Sequence, residues 1–216
     1  CRGNNGFAHV SCLARGAQVA VERADTGWDR WQTCGLCEQD YHGVVRCALG
    51  WACWKTYVGR SEADKVRHAA ISVLGAGLQQ ANLYEDALSV QEAEVSTLRR
   101  FGDSVAGFLV AQGNLANSYS ALGRFEQALP LQRDVYLGTL KLSGNQHEET
   151  LRAALNYAST LSELQRFVEA KSLLRKTIPV ARRVLGGKDR LTLKMRWTYA
   201  QSLYLDAGAT LDDLRE

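Results

Sequence analysis

Five residues in the first forty have the types and spacing to hold a metal ion. They run Cys1-x7-His9-x2-Cys12-x21-Cys34-x2-Cys37. Thiolate sulfur and imidazole nitrogen at short separations are the donors a tetrahedral zinc ion takes, and a C-x-x-C sets two sulfurs about 2.3 Å from one ion. All six cysteines precede residue 54. The N-terminus has no basic head, apolar core and small-residue cleavage site of a signal peptide. Clustering without secretory context points to metal ligands more than disulfides. Free buried thiols are the alternative, weakest for Cys34 and Cys37. The compartment expected is reducing and cytoplasmic. Cys47 and Cys53 lie six apart, on opposite faces of a helix, and cannot chelate one ion. His42 has no ligand-spaced partner, so all three are expected to be structural.

Other catalytic chemistry has no foothold. The chain has no nucleophile paired with a base, no Walker loop, no glycine-rich dinucleotide turn and no H-E-x-x-H. The acid pairs Glu148/Glu149 and Asp212/Asp213 read as solvated turns and caps. A net charge of +3 is too small to imply nucleic acid, and no run reads as densely basic. Hydrophobic residues at 46% and charged residues at 23% describe a globular protein.

The metal-type residues resemble part of a RING-CH (RING variant) zinc finger over about residues 1–41. The run Phe7-Ala8-His9-Val10-Ser11-Cys12-Leu13 follows that family's aromatic-x-His-x-x-Cys-Leu pattern. The resemblance places Cys1 on the fourth ligand, His9 and Cys12 on the fifth and sixth, and Cys34 and Cys37 on the last pair. It implies cross-bracing of zinc: His9 and Cys12 on one ion, and Cys1, Cys34 and Cys37 on the other. Neither set reaches four ligands in this chain. The family often has a Trp where Gly16 stands, at the site that docks a ubiquitin-conjugating enzyme. The chain opens on Cys1 and has Met195 as its sole methionine, so a fragment or a processed product is expected.

What must position such groups is helical. Leu13–Ala24 reads as a short helix between the ligand pairs. Val44–Val58 is apolar, with Trp51, Trp54 and Tyr57 at i, i+3 and i+6. It is shorter than the roughly 20 residues a bilayer needs. A helix packing its Trp stripe on the next element is expected, with no membrane span.

From residue 63 the chain repeats. Ser72–Leu88, Gly113–Leu129 and Leu155–Lys171 share one pattern, and Trp197–Leu203 begins a fourth copy. A small residue recurs at Gly75, Ala116, Ala158 and Ala200, with large apolar residues at fixed offsets. Turns are expected at Asn82, Gly123 and Gln165, and tight crossings at Ala87, Ala128 and Ala170. Such a period means a helical repeat array. These positions resemble the tetratricopeptide repeat, and the period near 42 residues resembles the kinesin-light-chain subclass. Gly144-x-x-His147 loosely fits that subclass's linker, with Asp189 replacing His in the next copy. Pro130 and Pro179 fall inside second helices, where a kink or break is expected.

The resemblance implies a mainly α fold: a tetratricopeptide-repeat α-solenoid, a right-handed superhelix of antiparallel helix pairs, with a small N-terminal zinc-finger-like remnant. The expected domains are 1–41, a connecting aromatic helix at 42–62, and repeats at 63–216 (about 65–105, 106–149, 150–191 and a partial 192–216). It also implies a peptide ligand along the first helices, at Asn114, Asn117, Arg152, Asn156, Lys194 and Gln201. Arg152 and Lys194 occupy equivalent positions, which points to an acidic or C-terminal peptide. Ser72 and Ala76 stand where a chaperone-binding carboxylate clamp would need Lys and Asn. The function expected is a protein-interaction scaffold. The alternative is a ubiquitin-protein ligase whose zinc unit recruits a ubiquitin-conjugating enzyme and whose repeats select the substrate.

Overall fold

A computed structural model describes residues 9–23, 27–102, 104–206 and 208. Nine α-helices account for most of the described residues: α1 (Val10–Arg23), α2 (Gly43–Tyr57), α3 (Lys65–Gln80), α4 (Tyr84–Phe101), α5 (Val105–Ala121), α6 (Phe125–Ser143), α7 (Glu148–Glu163), α8 (Phe167–Val184) and α9 (Arg190–Leu205). A 3₁₀ turn at Gly27–Trp31 follows α1. Among the described residues there is no strand, only one isolated antiparallel bridge between Thr33 and Asp40. The expected α-helical hairpin architecture is what the chain adopts. No described helix is long and apolar enough to cross a membrane.

The chain falls into two compact units, residues 1–118 and 119–216. In the first, α1 and the 3₁₀ turn share a core with α2 and α3: Ala17, Trp31, Cys53, Tyr57, Ala70 and Val73 are all buried. Trp28 and Trp31 approach the Tyr57 ring at 5.5 and 6.2 Å between centroids. The N-terminal segment is therefore built onto the first repeat rather than around a core of its own. The face that α2 buries is Arg46, Leu49, Gly50, Cys53 and Tyr57. Trp51 stays 43% exposed, so the expected Trp stripe is turned partly to solvent. Glycine decides which face is buried. A Cβ at Gly50 would lie 3.1 Å from the Leu74 Cα, and one at Gly77 would lie 2.9 Å from the Arg46 carbonyl oxygen. These two glycines let α2 and α3 approach backbone to backbone.

Three hairpin turns use one geometry. Asn82, Gly123 and Gln165 have φ of 60°, 71° and 58°. Behind each, an amide reaches back to a carbonyl: Leu83 N–H to Leu78, Arg124 to Tyr119, Arg166 to Leu161. This is the left-handed cap that satisfies carbonyls at a helix end. The helix starts are also systematic. The Asp64 carboxylate accepts the Val66 N–H, and Ser104 Oγ accepts the Gly107 N–H. His147 Nδ1 accepts the Glu149 N–H, and Asp189 Oδ1 accepts those of Leu191 and Thr192. The linker pattern thereby acquires a physical meaning. Gly144 and Gly186, at φ 79° and 98°, turn the chain out of one helix. His147 or Asp189 then caps the next, which is why one can replace the other.

Pro130 and Pro179 do not break their helices; α6 and α8 run through them. Both rings are exposed, so the carbonyl each leaves unbonded can turn to water. In the second unit, Leu151, Leu155, Ala158, Leu174, Ala181 and Met195 form the core between α7, α8 and α9. Ala87, Ala116, Ala128, Ala158 and Ala170 are fully sealed, as the repeat pattern requires. Ala200, at the equivalent position on α9, is exposed.

Candidate functional site

In the second unit, α7 and α9 pack side by side and leave a recess of about 550 Å³. From α7 come Leu155, Asn156 and Ser159; from α9 come Leu193, Lys194, Trp197 and Thr198. Lys188, just before α9, and Arg190, its first residue, complete it. The 42-residue register explains the pairing, since Asn156 and Thr198 are equivalent residues on successive first helices. Two sequence-predicted residues, Asn156 and Lys194, are thus brought together. Lys188, Arg190 and Lys194 have no ion-pair partner among the described residues, and all three are exposed. Trp197 is 73% exposed and Leu193 47%. A recess combining free cations, an amide and an aromatic wall can hold an anionic segment and pack an apolar side chain beside it.

Arg152 is placed differently. Its Nη2 lies 2.5 Å from Glu148 and 3.7 Å from Glu149, on the first turn of its own helix. Its charge is answered locally, and it does not line the recess. Gln201 lines a separate, smaller hollow with Ser162, Glu163, Gln165, Phe167 and Leu205.

In the first unit, Asn114 and Asn117 lie on α5. The Gln79 side-chain amide crosses from α3 and donates to the Asn114 carbonyl at 3.0 Å and to Ser118 Oγ at 2.8 Å. This bond fixes α3 to α5 and leaves the Asn114 side chain half-buried; Asn117 is exposed. The sequence reading missed Lys188, Arg190, Leu193 and Trp197. The i, i+4 spacing of Leu193 and Trp197 on a helix was the available signal.

The candidate metal ligands divide. Cys1 lies outside the described residues. His9 and Cys12 are exposed at the start of α1, where the His9 carbonyl accepts the Cys12 and Leu13 amides. Cys34 and Cys37 sit in a tight turn closed by the Thr33–Asp40 bridge, with Glu38 at φ 56°. The Leu36 N–H donates to Cys34 Sγ at 3.5 Å. That bond, with another from the Cys37 amide, holds the Cys34 thiol down at about 7 despite its burial. Amides aimed at a sulfur favour its thiolate, so this turn suits a two-thiolate metal ligand. Among the described residues no three His, Cys, Asp or Glu side chains gather closely enough to hold an ion. Cys53 is fully buried, and burial pushes its thiol up to about 12. Cys47 is raised as well, by burial first and then by Asp86.

Residues 107–183 match the tetratricopeptide repeat family. No curated protein sequence matches the chain at a significant level. Among solved structures, the chain is similar to nearly identical TPR-like repeats from a Podosopora anserina kinesin-light-chain-type protein. That likeness has 19% identity, covers 97% of this chain and 93% of the other, and has a TM-score of 0.65. A single-substitution variant of those repeats gives 19% identity, 97% and 92% coverage, and a TM-score of 0.66. BtubC (BKLC) from P. vanneervenii gives 12% identity, 94% and 78% coverage, and a TM-score of 0.50. The fold is thus the tetratricopeptide-like solenoid that the kinesin-light-chain repeats share. The family match lies outside residues 9–41, where the RING-CH resemblance rests on residue spacing alone.

Proposed function

We propose that the chain is a protein-interaction scaffold whose α7–α9 recess takes an acidic segment of a partner protein. Tetratricopeptide repeats are a protein-binding architecture, and a fold of this type supports a protein partner. The observation that carries the charge preference is the trio Lys188, Arg190 and Lys194, unpaired around one recess with Asn156 and Trp197. Asn156 can bond a peptide backbone. Trp197 and Leu193 can pack an apolar neighbour, and the cations select acidic side chains or a terminal carboxylate. Nothing in the recess resembles catalytic machinery.

Calorimetric titration of the chain with an acid-rich degenerate peptide pool and a charge-neutral pool of equal length tests this reading. The acid-rich pool should bind about tenfold more tightly, a margin of about 1.4 kcal/mol. Equal binding of the two pools would remove the proposal.

The Cys34–Cys37 turn supports a second element, zinc held by those two thiolates. The RING-CH resemblance adds Cys1 to that ion and puts His9 and Cys12 on a second one. Recruitment of a ubiquitin-conjugating enzyme, and with it a ligase function, follows only if that zinc unit forms. Ubiquitin transfer assayed across a panel of conjugating enzymes tests it. We place the protein in the cytoplasm, the reducing compartment expected from its clustered cysteines.

A further inference from the structure

The charge of the chain is not evenly spread. Between Arg175 and Arg196 lie eight of its 26 Lys and Arg and only one of its 23 Asp and Glu, namely Asp189. The small net charge conceals this, and the expectation that no run is densely basic does not hold there. Part of this charge lines the α7–α9 recess. Three more, Arg175, Arg182 and Arg196, gather on the other side of α9, around a hollow of about 510 Å³ between α8 and α9. Arg175, Ile178, Pro179 and Arg182 line it from α8, and Arg196 and Tyr199 from α9.

The preceding helix pair, α6 and α7, shows why this hollow exists. One repeat period earlier, Tyr136 stands at the Ile178 position and Tyr157 at the Tyr199 position. Those two rings stack, with centroids 6.2 Å apart and planes at 26°. Leu140 and Ala154 stand at the positions of Arg182 and Arg196, and Ala154 is fully buried. So α6 and α7 fill the space with an aromatic stack and an apolar margin. In α8 and α9 the first ring is replaced by Ile178, and the margin by two guanidinium groups. Tyr199 keeps a cation near its ring instead: the Arg175 guanidinium lies 5.9 Å from the centroid, and its Nε donates to the Tyr199 hydroxyl at 2.9 Å. Arg182 and Arg196 have no ion-pair or hydrogen-bond partner among the described residues, and both are exposed.

We propose that the hollow between α8 and α9 is a second docking site, for a phosphotyrosine-bearing segment of a partner protein. Chemistry and shape select that ligand. Guanidinium forks pair bidentately with a phosphate dianion better than a point charge does. The apolar floor of Ile178 and Pro179, beside Tyr199, offers an aromatic ring the kind of seat that Tyr136 fills between α6 and α7. Three guanidinium groups around one hollow suit a single phosphate on a side chain. A nucleic-acid strand would instead call for a track of cations interleaved with stacking rings. No acidic side chain lines the hollow to oppose an anion. The site shares no residue with the α7–α9 recess, so the two proposals stand or fall separately.

Fluorescence-polarisation titration of the full chain tests it, using three labelled probes. These are a degenerate peptide pool centred on phosphotyrosine, the same pool centred on tyrosine, and a short single-stranded oligonucleotide. The phosphotyrosine pool should bind about tenfold more tightly than the tyrosine pool, and phenyl phosphate should displace it. Arg182→Gln/Arg196→Gln should erase the difference while circular dichroism shows the helices intact. Lys188→Ala/Lys194→Ala should leave the difference in place. Equal binding of the two peptide pools overturns the proposal. So does a preference that survives Arg182→Gln/Arg196→Gln, or an oligonucleotide that binds more tightly through the same two arginines.

Discussion

Lys171 Nζ lies 2.7 Å from Asp206 Oδ2, and the two side chains are only 7% and 17% exposed. This ion pair ties the first half of α8 to the residue that closes α9, and so fixes the helix that carries Lys194 and Trp197. Breaking a pair this buried strands a charge. Asp206→Ala should therefore cost about 3 kcal/mol in urea unfolding. The apolar double variant Lys171→Met/Asp206→Leu should recover most of that loss. A double variant as unstable as the single one would show that the charges themselves are required.

Glu94 gives the stability a pH dependence. It is 2% exposed between α3 and α4 and accepts a hydrogen bond from Ser72 Oγ, while its second oxygen has no partner. Burial pushes its carboxyl from 4.5 up to about 7, against the lowering effect of Ser72. Between those values the native state holds a proton that the unfolded chain has lost. Stability should then fall as pH rises through that window, by an amount on the order of 3 kcal/mol. Glu94→Gln should flatten the dependence and be the more stable protein at pH 8. Unfolding curves for both at pH 5 and pH 8 decide it, and parallel behaviour would rule Glu94 out.

The three hairpin turns predict an asymmetry between glycine and non-glycine positions. Gln165 sits at φ 58° without the freedom that Gly123 has at 71°. Gln165→Gly should stabilise the protein by about 1 kcal/mol, and Gly123→Ala should destabilise it by about as much. Thermal melts of the two variants should move in opposite directions.

Cobalt(II) serves as a spectroscopic stand-in for zinc at the Cys34–Cys37 turn. The reduced protein should develop a thiolate-to-cobalt charge-transfer band. Cys34→Ser/Cys37→Ser should abolish the band, and Cys53→Ala should keep it, because Cys53 is sealed in the core. A band that persists in the double serine variant places the metal elsewhere.

Particular residues show how far the sequence could be read. Ala116 and Ala158 announce the repeat because a helix pair can close only over a small side chain, and both are fully buried. Asn82, Gly123 and Gln165 were legible as turns because the apolar pattern lapses there. The fate of Arg152 was legible too: Glu148 and Glu149 stand four and three residues before it, the spacing at which helix side chains meet. The α8–α9 hollow was harder to find. It arises from what is missing relative to the previous repeat, an aromatic ring at position 178 and apolar side chains at 182 and 196. Those differences mean nothing until the helices are paired. The sealing of Trp31 against Tyr57 is likewise a tertiary fact, since no spacing rule ties the N-terminal segment to α2 and α3.

If Lys188, Arg190 and Lys194 select an acidic segment in the α7–α9 recess, reversing their charge should reverse the preference in a titration. The Lys188→Glu/Lys194→Glu variant should lose the acid-rich pool by at least about tenfold and gain affinity for a lysine-rich pool of equal length. An acid-rich pool that binds this variant as tightly as the unaltered protein would show that these cations do not select the ligand.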